Sequence, residues 1–289
     1  MKNVQKLIQT VSQKLRPAYS VAEAQAIAWW LVESASNKNK VQLLTQISPL
    51  EPAVESKVME WLQEHLEAHR PIAYILGHIP FLELDILIKP PILIPRPETE
   101  SWVSQLITNL QDLPTNNLKI LDLCTGSGCI ALALANALPQ SHVTGIDINP
   151  QAIALASKNA KHNNIANVTF FESDLYQAIE ATHKFDLITA NPPYIASDEW
   201  DELEPCVTEW EDRLALHSKD KGLHLIKKII QQAPALLAPT RLPSIPQLTL
   251  EIGYKQAKAV TQLLQSHGAT HTQTQKDLHG NDRVVMAWW

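Results

Sequence analysis

Two adjacent prolines, Pro192-Pro193, stand one residue after the run Phe185-Asp186-Leu187-Ile188-Thr189-Ala190. That run reads as a buried strand. Proline lacks a backbone N–H and fixes its own φ, so a sheet cannot continue through two of them. The strand therefore stops at Asn191 and presents that side chain from a stiff loop. In an open α/β sheet, the carboxyl end of a strand is where ligands bind. The Asn191 side-chain carbonyl and a backbone carbonyl of the prolines can each accept a hydrogen bond. Tyr194 adds an aromatic face beside them. Together these groups suit a planar –NH2 that donates twice. A proline-rich turn capped by asparagine has the same sequence, so the tetrapeptide alone leaves both readings open.

From Lys119 onward, strands and helices alternate, the signature of a parallel sheet covered on both faces. Lys119–Leu123 is the first strand, followed by Cys124-Thr125-Gly126-Ser127-Gly128 and a helix from Cys129 to Leu138. His142–Ile146 is the next strand, ending at Asp147, and a helix runs from Asn149-Pro150 to about His162. Val168–Glu172 follows, with Asp174-Leu175 just beyond its end. The pattern continues with a helix over Gly222–Leu237, a strand over Leu248–Ile252, a helix over Gln256–Ser266 and two strands, Thr270–Thr274 and Arg283–Trp289. Glycines after the first strand let backbone approach a ligand, and a helix N-terminus offers free N–H groups. Asp147 lies about 20 residues beyond Gly128, where a ribose-binding acid is expected. Gly126-x-Gly128-x-x-Ala131 also fits a dinucleotide fingerprint, so an NAD-dependent enzyme competes on that segment. Two features favour methyl transfer. Asp122 stands just before the turn, where S-adenosylmethionine-binding sheets often carry an acid, and hydride transfer has no need of the Asn191–Tyr194 pocket.

The first 70 residues read as helices. Val4, Leu7, Ile8, Val11 and Leu15 form one apolar stripe, Ser20 can cap a second helix through Trp29 and Trp30 to Ser36, and a third runs from Pro52 to His69. Trp29, Trp30 and Trp61 read first as core packing and second as a docking face. Residues 71–97 are a connector holding a β-hairpin, because Phe81–Ile88 alternates as a strand or hairpin arm does. Pro97 suits the first turn of the next helix, and residues 98–289 form the catalytic domain. The net charge of −6 gives no general pull toward nucleic acid. Three cysteines without metal-type spacing, Cys124, Cys129 and Cys206, fit a reduced, cytoplasmic protein. The scattered histidines show no metal-ligand grouping. No secretory signal or membrane span is expected.

With these pieces assembled, the chain resembles the release factor glutamine N5-methyltransferases, the HemK/PrmC family. The resemblance is carried by Arg70-Pro71-Ile72-Ala73-Tyr74-Ile75-Leu76-Gly77, Leu93-Ile94-Pro95-Arg96-Pro97-Glu98-Thr99-Glu100, Leu121–Gly128, Asn191-Pro192-Pro193-Tyr194-Ile195, Leu250-Glu251-Ile252-Gly253 and Asp277–Arg283. It implies a class I S-adenosylmethionine-dependent, Rossmann-like α/β sheet with a small N-terminal helical domain that grips the substrate. It also implies S-adenosylmethionine as donor and the Gly-Gly-Gln glutamine of class 1 peptide chain release factors as acceptor. Carried across by position, Asp122 and Cys124, Thr125, Gly126, Ser127 and Gly128 should line the cofactor, Asp147 its ribose and Leu175 its adenine side. Asn191 should touch both cofactor and substrate, with Pro192, Pro193 and Tyr194 completing the acceptor pocket. Two departures stand out. Asp212 replaces the proline usual after Glu211, and a proline-rich loop over Ala238–Gln247 replaces a glycine. Glu251 reads as a structural strand-end acid and is not counted in the site. The rival readings are an adenine-N6 nucleic-acid methyltransferase, for which no basic groove is visible, and a binding module without chemistry.

Overall fold

The computed structural model describes residues 2–112, 117–239 and 244–289, so positions 240–243 of the expected proline-rich loop lie outside the described residues. The chain divides into two compact units, Met1–Gly77 with Pro205–Trp210, and His78–Glu204 with Glu211–Trp289.

The first unit is helical: α1 (Lys2–Leu15), α2 (Val21–Ser36), α3 (Lys40–Thr45), α4 (Pro52–Ala68) and α5 (Ile72–Leu76). The α1 stripe of Val4, Leu7, Ile8, Val11 and Leu15 is buried against Ala28, Leu31, Val58 and Leu62. Ser20 begins α2 with a capping box, its hydroxyl accepting from the Glu23 N–H while Glu23 accepts from the Ser20 N–H. The polar residues 37–40 both close α2 and start the next helix. Asn37 ends α2 in the left-handed conformation, and Asn39 and Gln42 form a second capping box that starts α3. Trp29, Trp30 and Trp61 are half-buried against this core, with Lys40 and Lys57 over the Trp29 and Trp61 rings at 4.9 and 4.6 Å. Buried His65 donates from Nδ1 to the Arg70 carbonyl (2.8 Å), which leaves Nε2 to accept the Tyr19 hydroxyl (2.9 Å). Residues 205–210 join this unit through Trp210, whose indole N–H donates to the Ala68 carbonyl (2.9 Å) and whose ring lies under the Arg70 guanidinium.

The second unit opens with the antiparallel hairpin β1 (His78–Phe81) and β2 (Leu84–Leu87), followed by α6 (Pro97–Gln111). Then come β3 (Lys119–Leu123), α7 (Cys129–Ala137), β4 (His142–Asp147), α8 (Pro150–His162), β5 (Val168–Glu172) and β6 (Leu187–Ala190). Short helices α9 (Pro205–Thr208, in the helical unit) and α10 (Arg213–Leu216) precede α11 (His224–Gln232), β7 (Leu248–Glu251), α12 (Ala257–Ser266), β8 (His271–Lys276) and β9 (Asp282–Trp288). The seven-stranded sheet has the order β5-β4-β3-β6-β7-β9-β8. Pairings from β5 to β7 are parallel, but β9 is antiparallel to both β7 and β8. The sheet is therefore mixed rather than wholly parallel. The turn between β8 and β9 is too short for the crossover that a parallel pair requires.

Alternation along the central strands splits the core. Ile120 and Leu187 face a cluster with Trp102, Leu106, Leu132 and Leu134, whereas Leu121, Leu123 and Ile188 face Ile226, Ile229, Val260 and Leu264. The chain runs outward from β3 through β4 to β5, then returns to the other side of β3 with β6 and β7. That reversal opens a crevice beyond the carboxyl ends of β3 and β6. Among the described residues, no helix is long and apolar enough to cross a membrane.

The turn after β6 is clamped from outside by Gly222. Its φ is +80°, and a Cβ placed there would stand 1.9 Å from the Tyr194 carbonyl oxygen and 2.4 Å from Gln256 Nε2. Gln256 Nε2 itself donates to the carbonyls of Tyr194 (2.9 Å) and Lys221 (3.1 Å). Gly222→Ala should therefore lower stability by about 2 kcal/mol or more, since left-handed strain and a backbone clash act together. Chemical denaturation checks this; a variant as stable as the parent would show that the Tyr194 loop yields freely.

Candidate active site

Register places the functional segments side by side. Leu123 of β3 pairs with Ala190 of β6, so Cys124 and Asn191 leave the sheet at the same level. Beyond those ends lies a cavity of about 450 Å3, within the range of small-molecule sites. Its walls include Cys124 and Gly126 after β3, Asp147–Pro150 after β4, Ser173–Leu175 after β5, and Asn191 and Pro193 after β6. Two wall residues other than glycine hold positive φ, Cys124 (57°) and Leu175 (48°). Strain of this kind persists only where surrounding structure enforces it.

Asp147 faces this cavity from the end of β4. Its Oδ2 accepts the Gly126 N–H (2.9 Å) and its Oδ1 the Asn149 N–H (2.9 Å), and the Ile148 N–H is a further donor to the carboxylate. Burial raises its carboxyl above the ordinary range, opposed by those backbone N–H groups. Gly126 has φ +56°, and a Cβ built there meets nothing within 4 Å, so the space beside its backbone is open. Asp122 lies behind this loop. It is fully buried and accepts hydroxyls from Thr125 (2.6 Å) and Thr189 (2.8 Å), which tie the loop to β3 and β6. Burial pushes its carboxyl up to about 7, outweighing both hydroxyls. Cys124 and Cys129 are raised by burial too, Cys129 to about 12, so neither is a thiolate at neutral pH.

A smaller cavity of about 40 Å3 adjoins the first and shares Leu93, Asn191, Pro193 and Ala215 with it. Pro192, Tyr194, Ile195, Leu216, Arg96 and Glu251 complete its lining. The Tyr194 hydroxyl donates to Glu251 Oε1 (3.2 Å), and burial raises both groups. Arg96 pairs at 2.6 Å with Glu211, whose buried carboxyl is raised by desolvation and lowered by that guanidinium.

Of the residues singled out by sequence, Cys124, Gly126, Asp147, Leu175, Asn191 and Pro193 line the large cavity, while Asn191, Pro192, Pro193 and Tyr194 meet on the small one. Asp122, Thr125, Ser127 and Gly128 line neither; Thr125 and Ser127 are buried within the loop, and Asp122 lies behind it. Sequence reasoning did not single out Ile148, Leu214 or Leu225, which add apolar wall. Ile148, an exposed apolar residue directly after a strand-end acid, carried a readable signal; Leu214 and Leu225 carried none. Asp212 has a structural use that proline could not serve. Its N–H donates to the Pro91 carbonyl (2.8 Å), and its Oδ1 caps α10 at the Leu214 N–H (2.9 Å).

A strand-end acid lining the cavity, an open glycine backbone and apolar walls fit a nucleoside bearing a short charged chain. Fold and site together define a class I S-adenosylmethionine-dependent methyltransferase, with S-adenosylmethionine as its cofactor. The chain matches the family models "Methyltransferase small domain" over residues 102–204 and "PrmC N-terminal domain" over residues 6–77. It is 41% identical to a release factor glutamine methyltransferase of Fusobacterium nucleatum over 81% of its own length, spanning 64% of that longer protein. It is 35% identical to one from Flavobacterium psychrophilum, with 94% of each chain covered. In fold alone it resembles the crystal structure of a SAM-dependent methyltransferase from Agrobacterium tumefaciens (TM-score 0.51, 15% identity, 73% of this chain and 69% of that one). The chain belongs to the release factor glutamine methyltransferase family.

Two outcomes follow from the cavity. Gly126→Val fills the open space beside the loop and should abolish S-adenosylmethionine binding while the fold persists; unchanged affinity by isothermal titration would take the loop out of the site. Asp122 supplies a pH test. In the unfolded chain its carboxyl ionises near 3.8, and in the fold near 7. Between these values the folded state holds the extra proton, so Asp122's contribution is full below about 3.8 and is lost as pH rises through about 7. Asp122→Asn should therefore gain Tm relative to the parent from about pH 4 to about pH 7 and level off above it, and a flat difference across that range would refute titration in that window.

Proposed function

We propose that this chain methylates the side-chain amide nitrogen of the glutamine in the Gly-Gly-Gln motif of class 1 peptide chain release factors. The observation that carries this reading is the place of Asn191, half-buried where the large and small cavities join. A group seated in the small cavity and a methyl presented from the large one would meet there. In this reading Asp147 takes the ribose hydroxyls, Gly126 gives its backbone face, and Leu175 and Ile148 flank the adenine.

When bound, S-adenosylmethionine supplies a methyl on a sulfonium sulfur; the amide nitrogen bonds to that carbon, sulfur keeps the bonding pair, and one amide proton passes to water. An amide nitrogen is a poor nucleophile because its lone pair is delocalised into the carbonyl. The contribution of the protein is thus geometric and electrostatic. The Asn191 Oδ1 and the Pro192 carbonyl accept the two N–H bonds, aim the nitrogen and stabilise the positive charge that grows on it. Pro192 and Pro193, both buried, hold those acceptors still. Tyr194, tied to Glu251, closes one side of the slot. The helical unit, matching the PrmC N-terminal domain, holds the body of the release factor in this reading.

Asn191→Ala should lower turnover by at least about 10²-fold, comparable with losing one preorganised electrostatic contact, with folding little changed. The assay uses three acceptors: intact release factor, release factor with that glutamine replaced, and adenine-containing DNA. Mass spectrometry should find methylation of the first only. Modified DNA with unmodified release factor would overturn the assignment, and modification of neither would favour a binding module. A short Gly-Gly-Gln peptide should be taken with a far higher KM than the intact factor; equal KM values would remove the helical unit from substrate binding.

A further inference from the structure

The carboxylate of Glu251, at the end of β7, collects three donors in a buried position. Its Oε2 accepts the Trp102 indole N–H (2.8 Å) and the Thr99 hydroxyl (2.7 Å), and its Oε1 accepts the Tyr194 hydroxyl (3.2 Å). An indole nitrogen only donates, so Oε2 is an acceptor whatever else surrounds it. With Glu251 ionised, Oε2 carries no hydrogen, so the Thr99 hydroxyl spends its one hydrogen on Oε2 and offers only lone pairs in other directions. One of these receives Asn191 Nδ2 at 3.3 Å. Thr99 and Trp102 sit one turn apart on α6, both 2% exposed, so water does not compete for these positions.

From this chain of contacts we infer that Thr99 and Glu251 are positioning residues that fix which way the Asn191 carboxamide faces. A flipped carboxamide would set Asn191 Oδ1 against Thr99 Oγ1, two oxygens with no hydrogen between them. It would also turn an –NH2 toward an acceptor amide that itself donates. The observed orientation keeps Nδ2 on Thr99 and leaves Oδ1 for the incoming N–H. Glu251 thus selects the polarity of a side chain it does not touch, and Thr99 transmits the choice.

The inference rests on the proposed function for its catalytic consequence, but the orientation can be measured without any substrate. In nitrogen-15-labelled full-length protein, the Asn191 carboxamide signal is assigned by its disappearance in Asn191→Ala. One of its hydrogens should exchange slowly with water in the parent and in Thr99→Ser, and rapidly in Thr99→Val. Equal exchange in parent and Thr99→Val would overturn the relay. In the release factor assay, Thr99→Val should lower kcat by about tenfold, the equivalent of one lost hydrogen bond. Its S-adenosylmethionine affinity should hold, and Thr99→Ser should restore turnover. Combined with Asn191→Ala, Thr99→Val should add no further loss; an additive loss would mean that Thr99 acts by another route. Should the valine variant fail to fold, Thr99→Ala removes the hydroxyl without added bulk and takes the same tests. Absence of turnover in the parent would sink the proposed reaction while the exchange result still judges the relay.

Discussion

The buried carboxylate of Glu251 joins three separate segments. Thr99 and Trp102 reach it from α6, Tyr194 from the turn after β6, and Glu251 itself ends β7. A carboxylate withdrawn from water this far is tolerated only when its lone pairs are met, and here three donors meet them. The small cavity, its Tyr194 wall and the hydroxyl beneath Asn191 all depend on that one group. Arg283 adds favourable charge nearby while remaining paired to Asp277.

Acids at the carboxyl edge of the sheet are put to different uses by their surroundings. Asp122, at β3, is sealed under the loop and satisfied by two threonine hydroxyls, so it supports the loop from below. Asp147, at β4, is held by the backbone N–H groups of Gly126, Ile148 and Asn149 and still opens onto the large cavity. Glu251, at β7, borders the small cavity. All three are raised by desolvation, yet of the three only Asp147 lines the large cavity. Chemical identity and strand-end position are shared; burial and partners separate the roles.

Rigidity at the junction of the cavities comes from backbone. Pro192 and Pro193 cannot rotate about φ, Gly222 presses on the Tyr194 carbonyl, and Gln256 holds that carbonyl from a third segment. An amide nitrogen gains little from a general base at neutral pH, so a reaction at such a centre depends on placement.

Much of this was legible in the amino-acid sequence. Period-two and helical apolar spacing, the Ser20 cap and Pro97 located most elements, and the double proline ended β6 where the structure ends it. Local rules suffice there because each depends on neighbours within a few residues. The same rules passed over α3 and α5, short helices beside stronger breaker signals, and they did not reveal β9 between β7 and β8, since strand order is set by long-range pairing. The site divides in the same way. Asn191 and Asp147 stood out because strand ends and prolines mark them in sequence. Only the tertiary structure could set Asp122 behind its loop, bring Leu214 and Leu225 to the cavity, or join Thr99, Trp102 and Tyr194 on Glu251. The contacts on Glu251 link residues more than 50 positions apart, as Tyr194 and Glu251 are at a separation of 57, and no local pattern encodes a hydrogen bond across that distance.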